Sequence, residues 1–497
     1  MTGPWVEALP WVVALPLAGA ALTPAVAARR PRLAGVWAWG VLLLATGLAA
    51  GLVYELAVRG PFAYDLGGWA RPYGIELQFD HFSAWVLPLL ALFVVIVPFS
   101  WRYLEHAMPR QRWPAFYALL LLNAGGMVGF CVTGDLFNLF VFTEVVSLSS
   151  YALVAVSGRG LAAYAALKYL FIGAVSSLLM LFATAQLFVL TGSLNMADVS
   201  VRLGELGPGL PVMVAFAALA VSFMVKSALF PVHVWLPDAH AIAPSPVSAV
   251  LSGMVVKVGI IGMLRVYQIY YGAGTLDLGP FNQVLVWLGA ISIVMGAFFA
   301  IFQDDIKLML AYSTISNIGY IVLGLGLASP YAVIGASVHV FNHALIKATL
   351  FLAAGAIIHQ TGFRTMTDLR GVARRMPHTA AAMAVGAVSI VGLPPTAGFV
   401  CKWFIALGAF EAGQAPFGFA LVFGALFIFV YYIRMVNAFY FQQPVHAAVA
   451  EAREVPWSMR APIVLLATLC LLMGILGGIP LSFVEPAVLD LLPAWGP

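Results

Sequence analysis

Long apolar runs alternate with short polar linkers along almost the whole chain. A helix that crosses a bilayer needs about 20 mostly apolar residues. Fourteen stretches meet that requirement, at roughly 5–28, 33–57, 80–101, 114–132, 135–157, 162–190, 210–234, 243–269, 281–302, 308–328, 331–359, 379–407, 414–441 and 461–483. The pattern predicts an all-α polytopic membrane protein, and the short linkers make residues 1–497 a single membrane domain. Two stretches contain their own breakers, Pro231 in the seventh and Pro394-Pro395 in the twelfth. Proline removes a backbone donor and interrupts a helix. At membrane depth such breaks are tolerated where they line a polar cavity. The first stretch lacks a basic leader and reads as a span, not a cleaved signal.

Loop charge orients these spans. With the N-terminus outside, the inner loops hold fourteen cations, including Arg29, Arg30, Arg32, Arg102, Arg110, Arg112, Arg159, Lys307 and Arg364, and the outer loops only Arg59, Arg71 and Arg202. Basic residues concentrate on the inner side. Both termini are therefore expected on the outer face of the cell (plasma) membrane, and the bias favours an even number of spans. Charged residues make up 9% of the chain against roughly 25% in soluble domains. A net charge of +4, mostly loop arginine, gives no reason to expect nucleic acid. Cys131, Cys401 and Cys470 have no metal-site spacing and read as buried thiols. No dinucleotide, Walker, haem or redox motif occurs, so no cofactor and no catalytic site of its own are expected.

Five of the six lysines fall inside spans: Lys168, Lys226, Lys257, Lys347 and Lys402. An ionisable residue at that depth is costly and marks a functional path by default. Glu144 is the one comparably deep carboxylate, with Ser147 and Tyr151 on its helix face. Burial favours neutral forms, and an opposite charge nearby favours the ionised ones. A Glu144–Lys226 contact therefore acts either as a switch for a proton or as an ion pair that only fixes packing. His233 follows the break after Lys226 and is either a relay or a cap. Lys257 sits among Ser248, Ala249, Ser252 and Gly253, small residues that permit close helix approach and leave room for water. His339, His343 and Lys347 recur at i, i+4 and i+8 on one face. Histidines so spaced can hold zinc, but no third acid or thiol accompanies them, and a proton relay fits better. Lys168 is close enough to the inner surface to snorkel there. Arg265 and Arg434 can reach an interface or hold a neighbour's carbonyls. One acid and a row of bases through an apolar protein point to ion translocation.

At these residues the chain resembles the antiporter-like membrane subunits shared by complex I, membrane-bound hydrogenases and Mrp-type cation/proton antiporters. The likeness runs from about Asn123 to Trp403. It rests on the Glu144 segment, on Lys226 with Phe230-Pro231-x-His233-x-Trp235-Leu236-Pro237-Asp238-Ala239, and on Pro244 to Lys257. It rests too on Asp305-Ile306-Lys307 through Tyr320 and on His343-Ala344-Leu345-x-Lys347. The resemblance implies fourteen helices with two inverted five-helix repeats, helices 4–8 (114–269) and 9–13 (281–441), and with helices 7 and 12 broken. It implies that Glu144 and Lys226 are a coupled pair and that Lys257, His339, His343 and Lys347 form a central relay. It makes Lys402 a terminal proton site and Lys168 an auxiliary one. Leu139 through Ala155, Thr191 to Asp198 and Asp368 to Gly371 are most similar to the D-type component of the Mrp antiporters. Leu308, where many relatives carry a base, departs from the pattern. The implied function is proton translocation in a multisubunit Na+(cation)/H+ antiporter, with other membrane subunits, protons, sodium and the lipid bilayer as partners. The alternative is the proton-pumping subunit of complex I or a membrane-bound hydrogenase. An anchoring scaffold is disfavoured by the cost of five intramembrane lysines, and a self-sufficient solute carrier by the absence of any organic-substrate motif.

Overall fold

A chain this apolar must satisfy its backbone within each segment, and helices do so. The computed structural model describes residues 3, 5–158, 160–274, 276 and 278–491. Arg159, one of the cations used to orient the spans, lies outside the described residues. The described chain is mostly helical. Its first half contains α1 (Leu9–Ala27), α2 (Leu33–Arg59), α3 (Val86–Ala107), α4 (Trp113–Val132), α5 (Leu136–Ala155), α6 (Gly160–Thr191), α7 (Met196–Leu206), α8 (Leu210–Lys226), α9 (Leu236–Ile242), α10 (Ser245–Val250) and α11 (Val256–Ala273). The second half contains α12 (Gly279–Ile301), α13 (Ile306–Gly326), α14 (Pro330–Thr361), α15 (Pro377–Val391), α16 (Ala397–Glu411), α17 (Ala415–Phe441), α18 (Ala447–Ala450), α19 (Trp457–Ile475) and α20 (Gly478–Leu491). A π-helical turn, Leu251–Val255, joins α10 to α11, so that Ser245–Ala273 runs as one span.

Among the described residues, twelve helices are long and apolar enough to cross a membrane alone. The other two expected spans, 210–234 and 379–407, are divided. α8 ends at Lys226, ahead of the cis Phe230–Pro231 bond, and α15 and α16 flank the cis Pro394–Pro395 bond. Each piece is shorter than a full crossing. Three features were not expected. β1 (Phe62–Asp65) and β2 (Glu76–Phe79) pair antiparallel between α2 and α3. α7 lies between the sixth and seventh spans, burying Met196, Val199 and Leu203 along one face while Ser200 Oγ donates to Ile269 O at 2.7 Å. Near the C-terminus, α20 follows α19 after two residues.

Burial is graded from the centre outwards. The apolar windows of Ser245–Ala273, α13 and α14 are 100%, 89% and 89% buried, against 33% for α17 and α19. The outer helices expose Leu178, Val189, Phe423 and Leu426, an apolar surface suited to lipid. One contact set occurs twice. Asp135 caps α5, bridges Asn195, and lies beside the Leu136 N–H to Leu194 O bond. Asp305 caps α13, bridges Thr365, and lies beside the Ile306 N–H to Arg364 O bond. The helices that lead into Asn195 and Thr365, α6 and α14, are both 32 residues long. Lys307, counted from sequence as a loop cation, is instead buried at the start of α13 and donates to Ala243 O.

Arg265, in α11, is buried and ties three elements together. It donates to Asp80 at 2.7 and 3.2 Å, to Ser83 Oγ at 3.1 Å and to Cys131 O at 3.2 Å, with its guanidinium 4.4 Å from the Phe82 ring centre. Asp80→Ala would leave that guanidinium unpaired, and a thermal melt in detergent should show a loss of about 3–5 kcal/mol. The double change Asp80→Leu with Arg265→Met should lose less. At the second helix break, a Cβ on Gly398 would lie 1.8 Å from Ser389 O, whereas one on Gly160 meets nothing within 4 Å. Gly398→Ala should therefore lower the melting temperature, by about 1–3 kcal/mol of strain, and Gly160→Ala should not.

Candidate functional site

The site is built from buried side chains, several of which lie beside interruptions in the helices. Lys226 is the last residue of α8. Its Nζ lies 3.7 Å from Glu144 Oε1 on α5. It donates to Ser147 Oγ at 2.8 Å and Ser177 Oγ at 3.0 Å, with Gly173 O at 3.5 Å. Ser177 also donates to Glu144 Oε1, so a hydroxyl bridges the acid and the amine. Lys226 is almost enclosed, while the Glu144 side chain is 28% exposed. The break beyond Lys226 is held from several sides. Phe230 N–H donates to Ser292 Oγ at 3.0 Å, and Trp235 Nε1 donates to Val225 O at 3.0 Å. His233 stacks on Phe230, with ring centres 5.0 Å apart.

Lys168 does not snorkel alone. Its Nζ pairs with Asp238 of α9 at 2.7 Å, both side chains being about one-third exposed. That link ties α6 to the short helix after the first break.

The central lysines are fully buried. Lys257 Nζ donates to Ser252 O at 2.5 Å and lies 2.7 Å from His343 Nδ1. The π-turn at Leu251–Val255 ends two residues before Lys257 and includes Ser252. Such turns recur at functional sites inside helices. A lysine and an imidazole nitrogen at that distance can hold one proton between them. His343 and His339 have ring centres 5.6 Å apart. His339 meets Cys401 Sγ at 2.9 Å through Nδ1 and Asn317 Oδ1 at 3.2 Å through Nε2. Lys347, on the same helix, turns to α13 and donates to Leu310 O at 2.8 Å and Ser313 Oγ at 2.5 Å, and Ser313 contacts the Tyr432 hydroxyl at 3.0 Å.

Lys402 sits at the second break. Its Nζ donates to Ile390 O at 2.7 Å and Val391 O at 3.2 Å, the last carbonyls of α15. Cations are stabilised at helix C-termini by the unpaired carbonyls there. The ammonium also lies 4.2 Å above the Tyr320 ring. Cation–π contacts of this kind add to the hold. Asn342 Nδ2 donates to Ala397 O at 2.8 Å and pins the start of α16 to α14.

The structure thus gathers Glu144 with Lys226, Lys257 with His343, His343 with His339, and His339 with the helix that bears Lys402. Sequence reasoning missed Ser177, and it had Asp238, Lys307 and Asn317 only as members of matching motifs, with no partner for any of them. It also missed His240, one residue beyond the Phe230–Ala239 motif. His240 is completely buried, with no hydrogen bond of ordinary geometry at either ring nitrogen, and it lies 6.3 Å from the Trp235 ring and 5.8 Å from the Phe351 ring. Near Lys307, a cavity of about 310 Å³ opens among Tyr103, His106, Ser245, His359 and Arg364. Arg434 donates to Ile301 O at 2.6 Å and to Gln303 O, holding a neighbour's carbonyls as expected.

Residues 133–428 match the family described as NADH:quinone oxidoreductase/Mrp antiporter, TM. The chain is 39% identical over 454 residues to the N component of the NADH-quinone oxidoreductase of Desulforudis audaxviator, covering 88% of this chain and 89% of that one. It is 33% identical over 399 residues to the D component of the Na(+)/H(+) antiporter of Alkalihalophilus pseudofirmus, covering 79% of each. Among solved structures, the Mrp complex from Dietzia sp. DQ12-45-1b superposes with a TM-score of 0.89 at 26% identity, over 99% of this chain and 98% of that chain. The archaeal membrane-bound sulfane sulfur reductase superposes with the same TM-score at 28% identity, over 98% of this chain and 99% of that chain. The chain belongs to the NADH:quinone oxidoreductase/Mrp antiporter family of membrane subunits.

Proposed function

We propose that this chain is the proton-translocating subunit of a multisubunit cation/proton antiporter of the Mrp type, set in the plasma membrane with both termini outside. Protons move along Glu144, Lys226, Lys257, His343, His339, Lys347 and Lys402, with Lys168 and His233 as auxiliary groups. Opening the Glu144–Lys226 pair removes the charge that favours the ammonium, so Lys226 releases its proton towards Lys257. Closing it recaptures one. The His343–Lys257 contact and the neighbouring His339 ring carry the charge on to Lys402, and partner subunits move sodium. The observation that carries this reading is the Lys226–Glu144 separation of 3.7 Å, bridged by a serine at a helix break. The pair is close enough to interact and loose enough to part.

The same reading takes the chain as fourteen spans, counting each broken segment as one crossing, in two inverted repeats over 114–269 and 281–441. The recurrence of the Asp135–Asn195 arrangement at Asp305–Thr365 supports it. Alternation of the spans sets those two clasps on opposite faces of the membrane.

A second reading has a specific observation behind it. The 39% identity to a component of a quinone oxidoreductase fits a pump module driven by electron transfer, with the same lysine row. Affinity purification of the tagged chain in mild detergent, followed by mass spectrometry, separates the two. Small membrane subunits without iron–sulfur proteins are expected for the antiporter, and iron–sulfur partners would make it the redox pump. In vesicles holding the assembled complex, Lys226→Ala should abolish sodium-dependent proton flux while the subunits still co-purify. Flux at the wild-type rate in that variant would sink the proposed path.

A further inference from the structure

A thiol stands against the relay imidazole His339, and it belongs to the residue just before Lys402. From sequence, Cys401 reads as a buried sulfur and no more. In the fold, close packing of α14 on α16 brings it to the ring. One turn before His339, a Cβ on Gly335 would lie 2.7 Å from Ile405 N and 2.9 Å from Cys401 O. Just after His339, Asn342 Nδ2 donates to Ala397 O at 2.8 Å. His339, Cys401 and Asn317 are completely buried. Their polar atoms depend on the partners that these helices supply.

Those partners assign the hydrogens on His339. Asn317 Nδ2 donates to Ser313 O at 2.8 Å, one turn back on α13. A carbonyl only accepts, so this contact turns the amide with its Oδ1 towards His339. Oδ1 lies 3.2 Å from His339 Nε2, and it too only accepts. Nε2 therefore carries a hydrogen whether the ring is neutral or charged. In the neutral ring Nδ1 holds the lone pair, and Cys401 Sγ lies 2.9 Å from it. The thiol donates there. A proton gained by His339 can enter only at Nδ1, the nitrogen that the thiol covers.

The thiol has a second acceptor. Sγ lies 3.2 Å from Gly398 O and 3.5 Å from Ala397 O, in the first turn of α16. With a hydrogen on Nδ1, the sulfur accepts from the ring and S–H donates to Gly398 O. No bond to sulfur breaks, and one hydrogen turns between a nitrogen and an oxygen. A thiol is a weak donor and a weak acceptor, so it can leave either arrangement. Gly398 is the glycine pressed against Ser389 O at the second break. Lys402 follows the thiol and reaches back across that break to Ile390 O and Val391 O.

We propose that Cys401 is a positioning residue of the proton path. Its thiol covers Nδ1 of neutral His339, turns to Gly398 O to admit a proton there, and so links the charge on His339 to the helix break that holds Lys402. This role rests on the reading of the lysine row as a proton path. The titratable groups facing His339 are His343 and Lys347 from α14, Tyr320 from α13, Lys257 from α11 and Lys402 beside the thiol. All of them remain in the Cys401 variants, so a difference in pH dependence reports the thiol.

The test uses the assembled complex. Infrared spectroscopy reads the S–H stretch directly, and the band of this thiol is the one that Cys401→Ser removes. That band should differ between acidic and alkaline pH, as S–H passes from nitrogen to oxygen, and in His339→Gln it should not. In vesicles, Cys401→Ala should move the pH profile of sodium-dependent proton flux to lower pH by about half a unit or more, because the imidazolium loses an acceptor. Cys401→Ser, whose hydroxyl donates and accepts in the same places, should keep the wild-type profile. Both variants shrink the side chain, so a role in packing alone would move both profiles together. Cys470→Ala removes another buried thiol, 3.8 Å from Thr349 Oγ, and should leave the profile in place. A Cys401 band that is the same at every pH would overturn the role of the thiol and leave the path standing. So would equal profiles for Cys401→Ala and Cys401→Ser. Flux that survives Lys226→Ala would remove the path itself, and the role with it, even where the band moves.

Discussion

An ammonium group taken out of water must be given oxygen to donate to, and the architecture around it is arranged to supply that oxygen. Each buried lysine reaches a main-chain carbonyl: Lys226 that of Gly173, Lys257 that of Ser252, Lys307 that of Ala243, Lys347 that of Leu310, and Lys402 those of Ile390 and Val391. A regular helix interior offers few such acceptors, because its carbonyls are engaged four residues on. Several of these acceptors come from irregularities. α15 stops at Val391, α9 stops before Ala243, and a π-turn covers Ser252. The interruptions and the lysines are thus two halves of one solution.

This constraint explains where the charge lies. The helices that carry Lys257, His339, His343 and Lys347 are the most buried, and the peripheral α17 and α19 meet the surroundings with apolar side chains. Partners differ along the row. Lys168 and Lys226 each have a carboxylate close by, Asp238 at 2.7 Å and Glu144 at 3.7 Å. Lys257, Lys347 and Lys402 rest on carbonyls, hydroxyls, an imidazole and an aromatic face. These partners are neutral or can be, so each amine can lose or regain a proton without stranding an opposite charge. A pair at one end and neutral partners along the rest is an arrangement in which one contact can set the charge state of its neighbours.

Structural ion pairs are handled differently. Arg265 and Asp80 meet at 2.7 Å with further donors and acceptors around them, and guanidinium does not give up its proton. That pair joins α11 to the start of α3 and the end of α4, away from the lysine row. In the proposed path, lysine and histidine carry the charge that moves, and arginine holds charge that is fixed.

The sequence by itself determined the helical membrane class, the position of the two breaks and the identity of the lysine row. These follow from span-length apolar runs, from proline, and from the cost of charge at depth, all of which are local. The i, i+4, i+8 spacing already put His339, His343 and Lys347 on one face. Only the tertiary structure decided what each charge touches. Lys168 looked free to reach the surface until α9 brought Asp238 to 2.7 Å. Lys307 read as a loop cation because it begins a helix, yet it is buried and reaches Ala243 O in the turn between α9 and α10. The complete burial of His240 carries no sequence signal, since burial is a property of surrounding elements. Spacing along a chain fixes which side chains share a face, but burial and partnership arise between faces that are distant in sequence.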